Sequence, residues 1–584
     1  MRQPVTGRLK PAPTYAVIAT ALTLSVSLGA QRSASDDWPT YGLNAAETRF
    51  SPLADINATN VAALVPAWSF DLGSGGGGQE ATPLIAGGVI YAITNWSVVV
   101  AVDARTGTQL WRWDPQVNQA AVRPEICCGV VNRGVALHEG LVIAPVIDGR
   151  LLALDARTGR PVWESRVAYP QDHFTITMAP RIAKGRVIIG VSGGDRPTRG
   201  FFDAYDAKTG RRAWRFYTVP GDPSKPFEND AMRKAAATWD QKWWKKGGGG
   251  AVWDGAAYDP ELELVYVGTG NAEPWTFHLR SSKDKDNLYV ASILAVDVNT
   301  GTLKWHYQVV PGDNWDFDSV QHLILADLTI DGRRRRVIMQ ANKNAFYYVV
   351  DRVTGQFISA GPFSQVTWAK GIDPKTGRPM VNDAAYYGTD AILISPGGGG
   401  AHNWSPMAFN PMTGLTYIPT STANTFSYAA ETEFSPTPGR MTGTVRPAPP
   451  PKVPSPPAIG PAPIDGPGAR GALVAWDPVA QQMRWRMPGG GGIGGGALTT
   501  AGNLVFQVLS NGRLVAYSAD KGDRLLDLDT GLRSGMGPPI TYRLDGRQYV
   551  ALMGGVGEVT GGAAGPGNQA TPFSPKLLTF ALPR

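Results

Sequence analysis

The sequence predicts an all-β fold, an eight-bladed β-propeller whose blades dock through tryptophan side chains. Three observations support this prediction: a repeated turn motif, a short β-rich run before each copy, and a composition rich in glycine and tryptophan. The chain has 584 residues, including 70 Gly, 47 Pro and 18 Trp, and only 18% of its residues are charged. Such low charge argues against coiled coils, and the length suits one large closed architecture.

The repeated motif is apolar-x-Asp-x-x-Thr-Gly-x-x-x-Trp. Four close copies begin at residues 101, 153, 204 and 295, and four weaker copies begin at 349, 408, 475 and 516. The aspartate side chain caps a tight turn, and the glycine supplies a positive φ angle. The tryptophan then lies at a fixed offset, where it can wedge between neighbouring sheets. With the β-rich run before it, each repeat holds several short antiparallel strands.

The spacing of the copies fits one blade per repeat. Successive copies are 52, 51, 91, 54, 59, 67 and 41 residues apart. Four strands of about six residues, with their turns, need roughly this length. Eight such sheets arranged radially form a propeller with short, protected edges, whereas eight hairpins on a sandwich are the alternative. The two longest intervals contain excursions: residues 218–250 are predicted to be partly helical, and the Pro-rich residues 430–470 to form a long loop.

The N-terminus has the features of a secretory signal peptide over residues 1–30. A basic region precedes an uncharged, largely apolar stretch from residue 16 to residue 28, and the small residues Gly29 and Ala30 follow. An uncleaved anchor is the alternative. We therefore expect a single propeller domain over residues 31–584, located in the periplasm without stable membrane insertion.

The charge and cysteine patterns exclude several other functions. The formal net charge of +7 is scattered, and the one dense basic run, Arg333–Arg336, is interpreted as a hairpin tip because it follows Asp331-Gly332. No nucleic-acid binding is expected. The two cysteines, Cys127 and Cys128, are adjacent. The sequence has no CxxCH haem-attachment motif and no zinc-type spacing.

The repeat and the paired cysteines resemble the pyrroloquinoline quinone (PQQ)-dependent alcohol dehydrogenases, the methanol/ethanol dehydrogenase family, without a haem domain. The stretches that carry the resemblance are WPTYG (38–42), RFSPL (49–53), QEATPL (79–84), CCGVVNRG (127–134), FYTVPGDPSKPFEN (216–229), AYDPELELVYVGTGN (257–271), PGDNWDF (311–317), GIDPKTGRP (371–379) and HNWSPM (402–407). The resemblance implies oxidation of primary alcohols to aldehydes, with hydride transferred to metal-polarised PQQ and electrons passed to a separate cytochrome c. A non-catalytic propeller scaffold and a same-fold member with a disabled site are the alternatives.

The resemblance also implies a cofactor site. Cys127 and Cys128 would form a disulfide against one face of PQQ, and Trp253 would stack on the other face; free thiols and a blade-docking tryptophan are the alternatives. Neighbouring Cα atoms lie about 3.8 Å apart, below the usual disulfide range, so such a bridge strains the peptide. PQQ is a tricarboxylate quinone and needs charge-assisted partners. The remaining positions expected around it are Glu80, Arg133, Thr177, Ser192, Gly193, Gly194, Lys343, Asn403 and Trp404.

A cation beside the quinone is the last implication of the resemblance. Asp195, Asn271 and Asp316 would bind it, and Asp316 would act as the general base; Asp195 stands where the family has Glu, which also motivates the disabled-site alternative. Asp318 lies two residues after Asp316, where lanthanide-type members carry an extra aspartate, and residues i and i+2 of an extended segment face the same side. Three carboxylates suit a trivalent ion, so we favour a lanthanide, with calcium second. A surface carboxylate is the alternative for Asp318, and the oligomeric state is open, a homodimer being one arrangement.

Overall fold

The computed structural model describes residues 1, 36–73, 78–126, 128–422, 424–435, 442–464, 471–489, 494–533, 536–555 and 574–584. Eight sheets of four or five strands confirm the predicted all-β, eight-bladed propeller. Each blade is an antiparallel meander in which strands adjacent in the chain are adjacent in the sheet, apart from the two blades that incorporate N-terminal strands.

The first four blades follow two N-terminal strands, β1 (Phe50–Ser51) and β2 (Val65–Asp71). The first blade contains β3 (Leu84–Ala86), β4 (Val89–Ile93), β5 (Val99–Asp103) and β6 (Gln109–Trp113), and the second contains β7 (Ala136–His138), β8 (Leu141–Pro145), β9 (Arg150–Asp155) and β10 (Pro161–Arg166). The third contains β11 (Arg181–Ala183), β12 (Arg186–Gly190), β13 (Phe201–Asp206) and β14 (Arg212–Tyr217), and the fourth contains β16 (Ala256–Asp259), β17 (Leu264–Gly268), β19 (Ser292–Asp297) and β20 (Leu303–Gln308). Outside these sheets, β15 (Gly248–Gly249) pairs with β18 (Ala272–Glu273).

The last four blades continue in the same way. The fifth blade contains β21 (Ile324–Ile330), β22 (Arg333–Ala341), β23 (Phe346–Asp351) and β24 (Phe357–Pro362), and the sixth contains β28 (Ala408–Asn410), β29 (Leu415–Ser421), β31 (Gly471–Asp477) and β32 (Gln482–Pro488). The seventh contains β33 (Ala497–Thr500), β34 (Leu504–Val508), β35 (Arg513–Ser518) and β36 (Arg524–Asp529), and the eighth contains β37 (Ile540–Leu544), β38 (Arg547–Gly554) and β39 (Lys576–Ala581). Two short pairs lie outside the blades: β25 (Ala369–Ile372) pairs with β26 (Pro379–Val381) before the sixth blade, and β27 (Ile392–Ile394) pairs with β30 (Phe426–Tyr428), which follows β29.

The two ends of the chain close the ring. Strand β2 pairs antiparallel with β39 and completes the eighth blade, and β1 adds a parallel strand to β33 of the seventh. The closure therefore joins residues about 500 positions apart in the sequence, for example Ser69 with Leu578. Burying these edges removes the unpaired strands that an open sheet would expose.

The repeat works as the sequence predicts. In the first blade, Asp103 Oδ1 accepts hydrogen bonds from the backbone N–H groups of Arg105 (2.8 Å) and Thr106 (3.1 Å), and Gly107 has φ +74°. In six of the eight blades, an indole of the outer strand packs on the turn glycine of the next blade and donates its Nε1–H to a backbone carbonyl of that turn. These bonds are Trp68–Ala104 (3.1 Å), Trp111–Ala156 (2.9 Å), Trp163–Ala207 (3.0 Å), Trp214–Val298 (3.0 Å), Trp305–Arg352 (3.3 Å) and Trp485–Ala519 (3.2 Å).

The assumption of one motif copy per blade is wrong at two places. The copies that begin at residues 408 and 475 both fall in the sixth blade, on the β28–β29 and β31–β32 turns. The eighth blade has no copy, because its outer strand is β2 and no turn joins β2 to β39. The blade count was right because the extra copy compensated for the missing one.

The two excursions match their predictions. Residues 218–250 contain helix α2 (Asp230–Ala236), with its Asn229 cap, and a 3-10 turn at Trp243–Lys245. Between β30 and β31, the described part of the Pro-rich segment contains isolated bridges but no strand. The other helices are α1 (Gln119–Val122) and 3-10 turns at Val61–Ala63, Arg123–Glu125, Pro170–Asp172, Phe277–Leu279 and Asp383–Ala385.

The segment 41–49 lies at the centre of the ring. Its backbone contacts the inner strands of four blades, through bonds from the N–H groups of Tyr258, Leu325, Phe409 and Thr499. Arg49 is fully buried and donates to the carbonyl oxygens of Tyr41 (2.7 Å), Ala497 (2.8 Å) and Pro539 (2.7 Å). The centre is therefore packed with protein rather than open.

Most of the predicted signal peptide falls outside the described residues, so its cleavage stays a prediction. Within the described ranges, no helix is long and apolar enough to cross a membrane.

Candidate functional site

The predicted site residues lie at one end of the ring. Strand direction alternates within a blade, so loops before the first strand and loops after the second strand share an end. Every described candidate falls on such a loop: Glu80, Arg133, Thr177, Trp253, Asp316, Asp318, Asn403 and Trp404 precede first strands, and Ser192, Gly193, Gly194, Asp195, Asn271 and Lys343 follow second strands. The Asp-x-x-Thr-Gly turns join third and fourth strands and therefore lie at the opposite end.

Arg133 contacts four of the other predicted residues in one half of the site. Its guanidinium is buried, forms an ion pair with Glu80 Oε2 at 2.8 Å and donates to Thr177 Oγ1 at 2.9 Å. The indoles of Trp253 and Trp404 lie 5.0 and 5.8 Å from it. Burial raises the pKa of Glu80 above its ordinary value, although Arg133 opposes the shift. This half of the site is an aromatic surface around a buried guanidinium, a group that binds anions through charge-assisted hydrogen bonds.

Trp253 connects this half to the carboxylates. Its carbonyl oxygen accepts bonds from Arg133 (3.2 Å) and from Thr177 Oγ1 (3.1 Å), whose hydroxyl also lies 2.7 Å from Ser192 Oγ. Its indole Nε1–H donates to Asp318 Oδ1 at 3.1 Å. Trp253 is thus held by both its backbone and its side chain, and it does not dock a blade.

Lys343 joins two of the predicted carboxylates. Its Nζ lies 2.6 Å from Asp318 Oδ2 and 3.1 Å from Asp316 Oδ2, and all three side chains are largely buried. The two carboxylates raise the pKa of Lys343 despite its burial. Asp318 is therefore not a surface carboxylate, and Asn271 N–H donates a further bond to its Oδ1 at 2.9 Å.

Asp316 has an unusual backbone. Its φ angle is +67°, a conformation in which a non-glycine residue is strained. The buried Asp313 side chain fixes this turn by accepting bonds from the N–H groups of Trp315 (3.2 Å) and Phe317 (3.0 Å). The extended geometry expected for residues 316–318 is thus wrong, yet both aspartates reach Lys343. Burial, reinforced by Asp195 and Asp318, raises the pKa of Asp316 well above its ordinary value.

The remaining predicted ligands approach from the neighbouring loops. Asp195 Oδ1 accepts a hydrogen bond from Trp275 Nε1 at 3.1 Å. The Asn271 side chain lies against Gly194, where a Cβ atom would come within 2.6 Å of its Oδ1, so only glycine fits there. Gly193 has φ +136°, and a Cβ there would lie 2.8 Å from the carbonyl oxygen of His173. Asn403 donates to the Gly399 carbonyl at 2.9 Å and accepts from Trp404 N–H at 2.8 Å.

The predicted Cys127–Cys128 disulfide cannot be described in full, because Cys127 lies outside the described residues. Cys128 lies on an exposed loop position and is not a free thiol. The disulfide therefore stays a prediction.

Sequence reasoning missed several residues that shape the site. Asp254 Oδ2 lies 3.6 Å from Arg133 Nε, Glu273 is fully buried beside the predicted ligands, and Trp275 holds Asp195. Asp254 and Glu273 lie one and two residues from predicted site positions, so adjacency was the available signal. Arg446, from the Pro-rich segment, lies 4.2 Å from the Trp275 ring, which brings that segment to the edge of the site.

The side chains present fit a planar polyanion and a cation. Arg133 Nε is buried and has no hydrogen-bond partner within the described residues, so it can bind an added carboxylate. Asp195, Asp316 and Asp318 act on one another electrostatically, and a cation would relieve that repulsion. Within the described ranges no three His, Cys, Asp or Glu side chains form a metal cluster on their own. A cation bound here would take its oxygen ligands from Asp195, Asn271, Asp316 and Asp318.

Fold and site together define a propeller enzyme with a buried, charged cofactor site at one end of its axis. The chain matches the PQQ beta-propeller domain of glucose/ethanol/alcohol dehydrogenases over residues 38–361 and 384–550. It is 47% identical over 571 residues to the quinohemoprotein alcohol dehydrogenase ADH IIB of Pseudomonas putida, which covers 95% of this chain and 79% of that protein. It is 48% identical over 560 residues to the quinohemoprotein alcohol dehydrogenase of Comamonas testosteroni, covering 93% of this chain and 77% of that protein.

Solved structures agree. The Comamonas testosteroni enzyme superimposes with a TM-score of 0.85 at 46% identity, over 94% of this chain and 81% of that one. A europium-containing methanol dehydrogenase superimposes with a TM-score of 0.81 at 32% identity, over 94% and 98%. The chain belongs to the PQQ-dependent alcohol dehydrogenase family. Its relatives are named as dehydrogenases, which favours the enzyme over the non-catalytic scaffold.

Proposed function

We propose that this enzyme oxidises primary alcohols to aldehydes in the periplasm, with PQQ and one metal ion, and passes the electrons to a separate cytochrome c. The observation that carries the proposal is the buried Asp316 carboxylate, 3.1 Å from Lys343 Nζ and beside the predicted cation ligands. When bound, PQQ supplies a hydride acceptor whose carbonyl the cation polarises. The residues of this chain supply binding, orientation and proton transfer.

Asp316 is the general base. Its carboxylate takes the proton from the alcohol hydroxyl, and its raised pKa makes it a stronger base than an exposed aspartate. Lys343 opposes that rise and keeps the ionised form accessible. The turn fixed by Asp313 holds the carboxylate in place, so little reorganisation accompanies proton transfer.

The other half of the site orients the cofactor. Arg133 binds one of its carboxylates, and the hydroxyls of Thr177 and Ser192 provide hydrogen bonds beside it. The indoles of Trp253 and Trp404 exclude water from the same region, which strengthens these charge-assisted bonds. A disulfide between Cys127 and Cys128, which the family resemblance implies, would provide the second face of the cofactor site.

The metal is a lanthanide, with calcium as the second candidate. Asp195, Asn271, Asp316 and Asp318 provide oxygen ligands and more negative charge than a divalent ion requires. Two observations support this proposal: Asp318 is buried within the site, and a structurally similar methanol dehydrogenase is described as containing europium.

A separate cytochrome c is the electron acceptor. A relative from Thauera butanivorans, 40% identical over 569 residues, is named 1-butanol dehydrogenase (cytochrome c). Residues 1–30 direct the chain to the periplasm, where such carriers are found. Cell fractionation and N-terminal sequencing of the exported protein test this location.

Reconstitution tests the function. The purified mature chain is loaded with PQQ and either Ca²⁺ or a light lanthanide, and dye-linked oxidation of primary alcohols is measured. We expect turnover, faster with the lanthanide; equal or faster turnover with Ca²⁺ contradicts the lanthanide preference. No turnover with either ion, in protein that binds PQQ, favours the disabled-site alternative.

Two variants test the residue roles. Asp316→Asn is expected to lower turnover by about 100- to 10,000-fold, because it removes the general base and one charged cation ligand, while PQQ binding is expected to remain. Asp331→Asn is the matched control: it makes the same exchange at the exposed far end of the β21–β22 hairpin. Asp318→Ala is expected to impair turnover with the lanthanide more than turnover with Ca²⁺.

A further inference from the structure

Glu273 is a buried carboxylate that has no hydrogen-bond partner within the described residues. It lies on β18, two residues after Asn271, and its backbone pairs with Gly248 of β15. Its side chain is 0% exposed, and neither carboxylate oxygen accepts a hydrogen bond within the described part of the chain. Burying an unpaired charge is costly, so such a group has either a proton or a missing counter-charge.

The groups that face Glu273 do not supply that counter-charge. Asp195 and Asp316 repel it, and Arg280 and Arg446 attract it. However, the Arg280 guanidinium donates to the carbonyl oxygens of Pro274, Trp275 and Asp313 and to Asn287 Oδ1. The Arg446 guanidinium stacks over the rings of Trp275 (4.2 Å) and Phe426 (5.5 Å). Three carboxylates thus share one buried region whose arginines are engaged elsewhere.

The neighbouring Asp195 already uses one of its carboxylate oxygens as a hydrogen-bond acceptor. Its Oδ1 accepts the Trp275 indole bond at 3.1 Å, which limits how it can turn towards a cation. Glu273 is held only by its backbone, and its longer side chain has no bond that prevents it from turning. A Glu two residues after Asn271 can therefore provide the oxygen ligand that Asp195 reaches less readily.

We propose that Glu273 is a further ligand of the cation, which it would share with Asp195, Asn271, Asp316 and Asp318 once the bound ion draws these side chains together. This inference rests on the proposed metal-dependent function. Lys343 brings one positive charge to Asp316 and Asp318, so these two carboxylates together with Asp195 and Glu273 carry more negative charge than the lysine balances. Such a group of carboxylates suits a highly charged cation, and oxygen ligands are those that hard cations prefer. The bound ion would therefore supply the positive charge that the neighbouring side chains do not pair with the Glu273 carboxylate.

The test uses Eu³⁺ as the probe in PQQ-loaded protein. Direct excitation of Eu³⁺ gives its affinity by titration, and luminescence lifetimes in H₂O and D₂O give the number of bound waters. In Glu273→Gln we expect a loss of Eu³⁺ affinity of about tenfold or more and about one additional bound water, because a charged ligand is replaced by a weaker one. Glu261→Gln, the same exchange on the exposed β16–β17 loop of the same blade, is expected to match the wild type.

Stability provides a second readout that a purely structural role does not reproduce. Without metal, Glu273→Gln removes the carboxyl group that Asp195 and Asp316 repel, so its Tm is expected to equal or exceed that of the wild type. With Eu³⁺, the metal-induced rise in Tm is expected to be smaller in the variant than in the wild type. A variant that is less stable without metal and gains the same rise contradicts the inference.

The outcomes separate this inference from the proposed function. If wild-type protein binds no Eu³⁺, Ca²⁺ or other ion, both fail. If the wild type binds Eu³⁺ and Glu273→Gln binds it with the same affinity and hydration, only the role of Glu273 fails. Loss of turnover in the variant with unchanged Eu³⁺ binding also overturns the inference, because it assigns Glu273 to proton transfer.

Discussion

The blade-docking turn makes a sharp prediction at Gly159. This glycine has φ +71°, and a Cβ atom there would lie 2.6 Å from Cε3 of Trp111 in the preceding blade. In Gly159→Ala the indole has to move and loses its 2.9 Å bond to the Ala156 carbonyl. Gly140, in the first hairpin of the same blade, is the control: its φ is +82°, and nothing lies within 4 Å of a Cβ built there.

The magnitude follows from the difference between the two sites. Both alanines adopt a left-handed conformation, at a cost of about 1–2 kcal/mol. Only Gly159→Ala adds overpacking and a lost hydrogen bond, so its free energy of unfolding should fall by about 2–4 kcal/mol more than that of Gly140→Ala. Urea denaturation followed by tryptophan fluorescence measures both variants.

A double variant tests the contact directly. Once Trp111→Ala has removed the indole, Gly159→Ala should cost no more than Gly140→Ala, so the two substitutions should be strongly non-additive. Equal destabilisation by the two single glycine variants, or simple additivity in the double variant, would refute the docking argument.

Three further predictions follow from the structure. Burial lowers the pKa of His402 from 6.5 to about 4, so the imidazole of the unfolded chain takes up a proton before that of the folded chain as the pH falls. The free energy of unfolding should therefore drop by up to about 3 kcal/mol between pH 6.5 and 4. Urea titrations of His402→Gln should lack that part of the drop. Arg133→Gln should weaken PQQ binding at least about tenfold in fluorescence titrations, because a charge-assisted contact is lost, and unchanged affinity would contradict the clamp. Trp68→Ala should destabilise the ring closure by about 3–5 kcal/mol, and an unchanged Tm would argue that β2 is dispensable.

Much of the site could be predicted from sequence because its residues sit in irregular stretches that resemble a known family. Arg133, Trp253, Asn271, Asp316, Asp318 and Lys343 are brought into one connected set of contacts. The sequence could not predict which hydrogen-bond and ion-pair partners each of these side chains has. Sequence spacing suggested that Asp316 and Asp318 face one way in an extended segment, whereas Asp313 instead folds residues 313–317 into a turn. The sequence gives no sign of the role of Glu273, because its burial and the lack of a hydrogen-bond donor near it among the described residues are properties of the folded chain.

The sequence by itself determined the repeated unit, because the aspartate cap and the glycine conformation act within a few residues and the tryptophan follows at a constant offset. Only the tertiary structure decided how the ring closes: the eighth blade lacks the motif and takes its outer strand from the other end of the chain, Ser69 pairing with Leu578. It also decided which carboxylates meet in the site. Asp195 and Asp316 come from two loops and Glu273 from the short strand β18, and their mutual repulsion exists only where folding excludes water and brings them together.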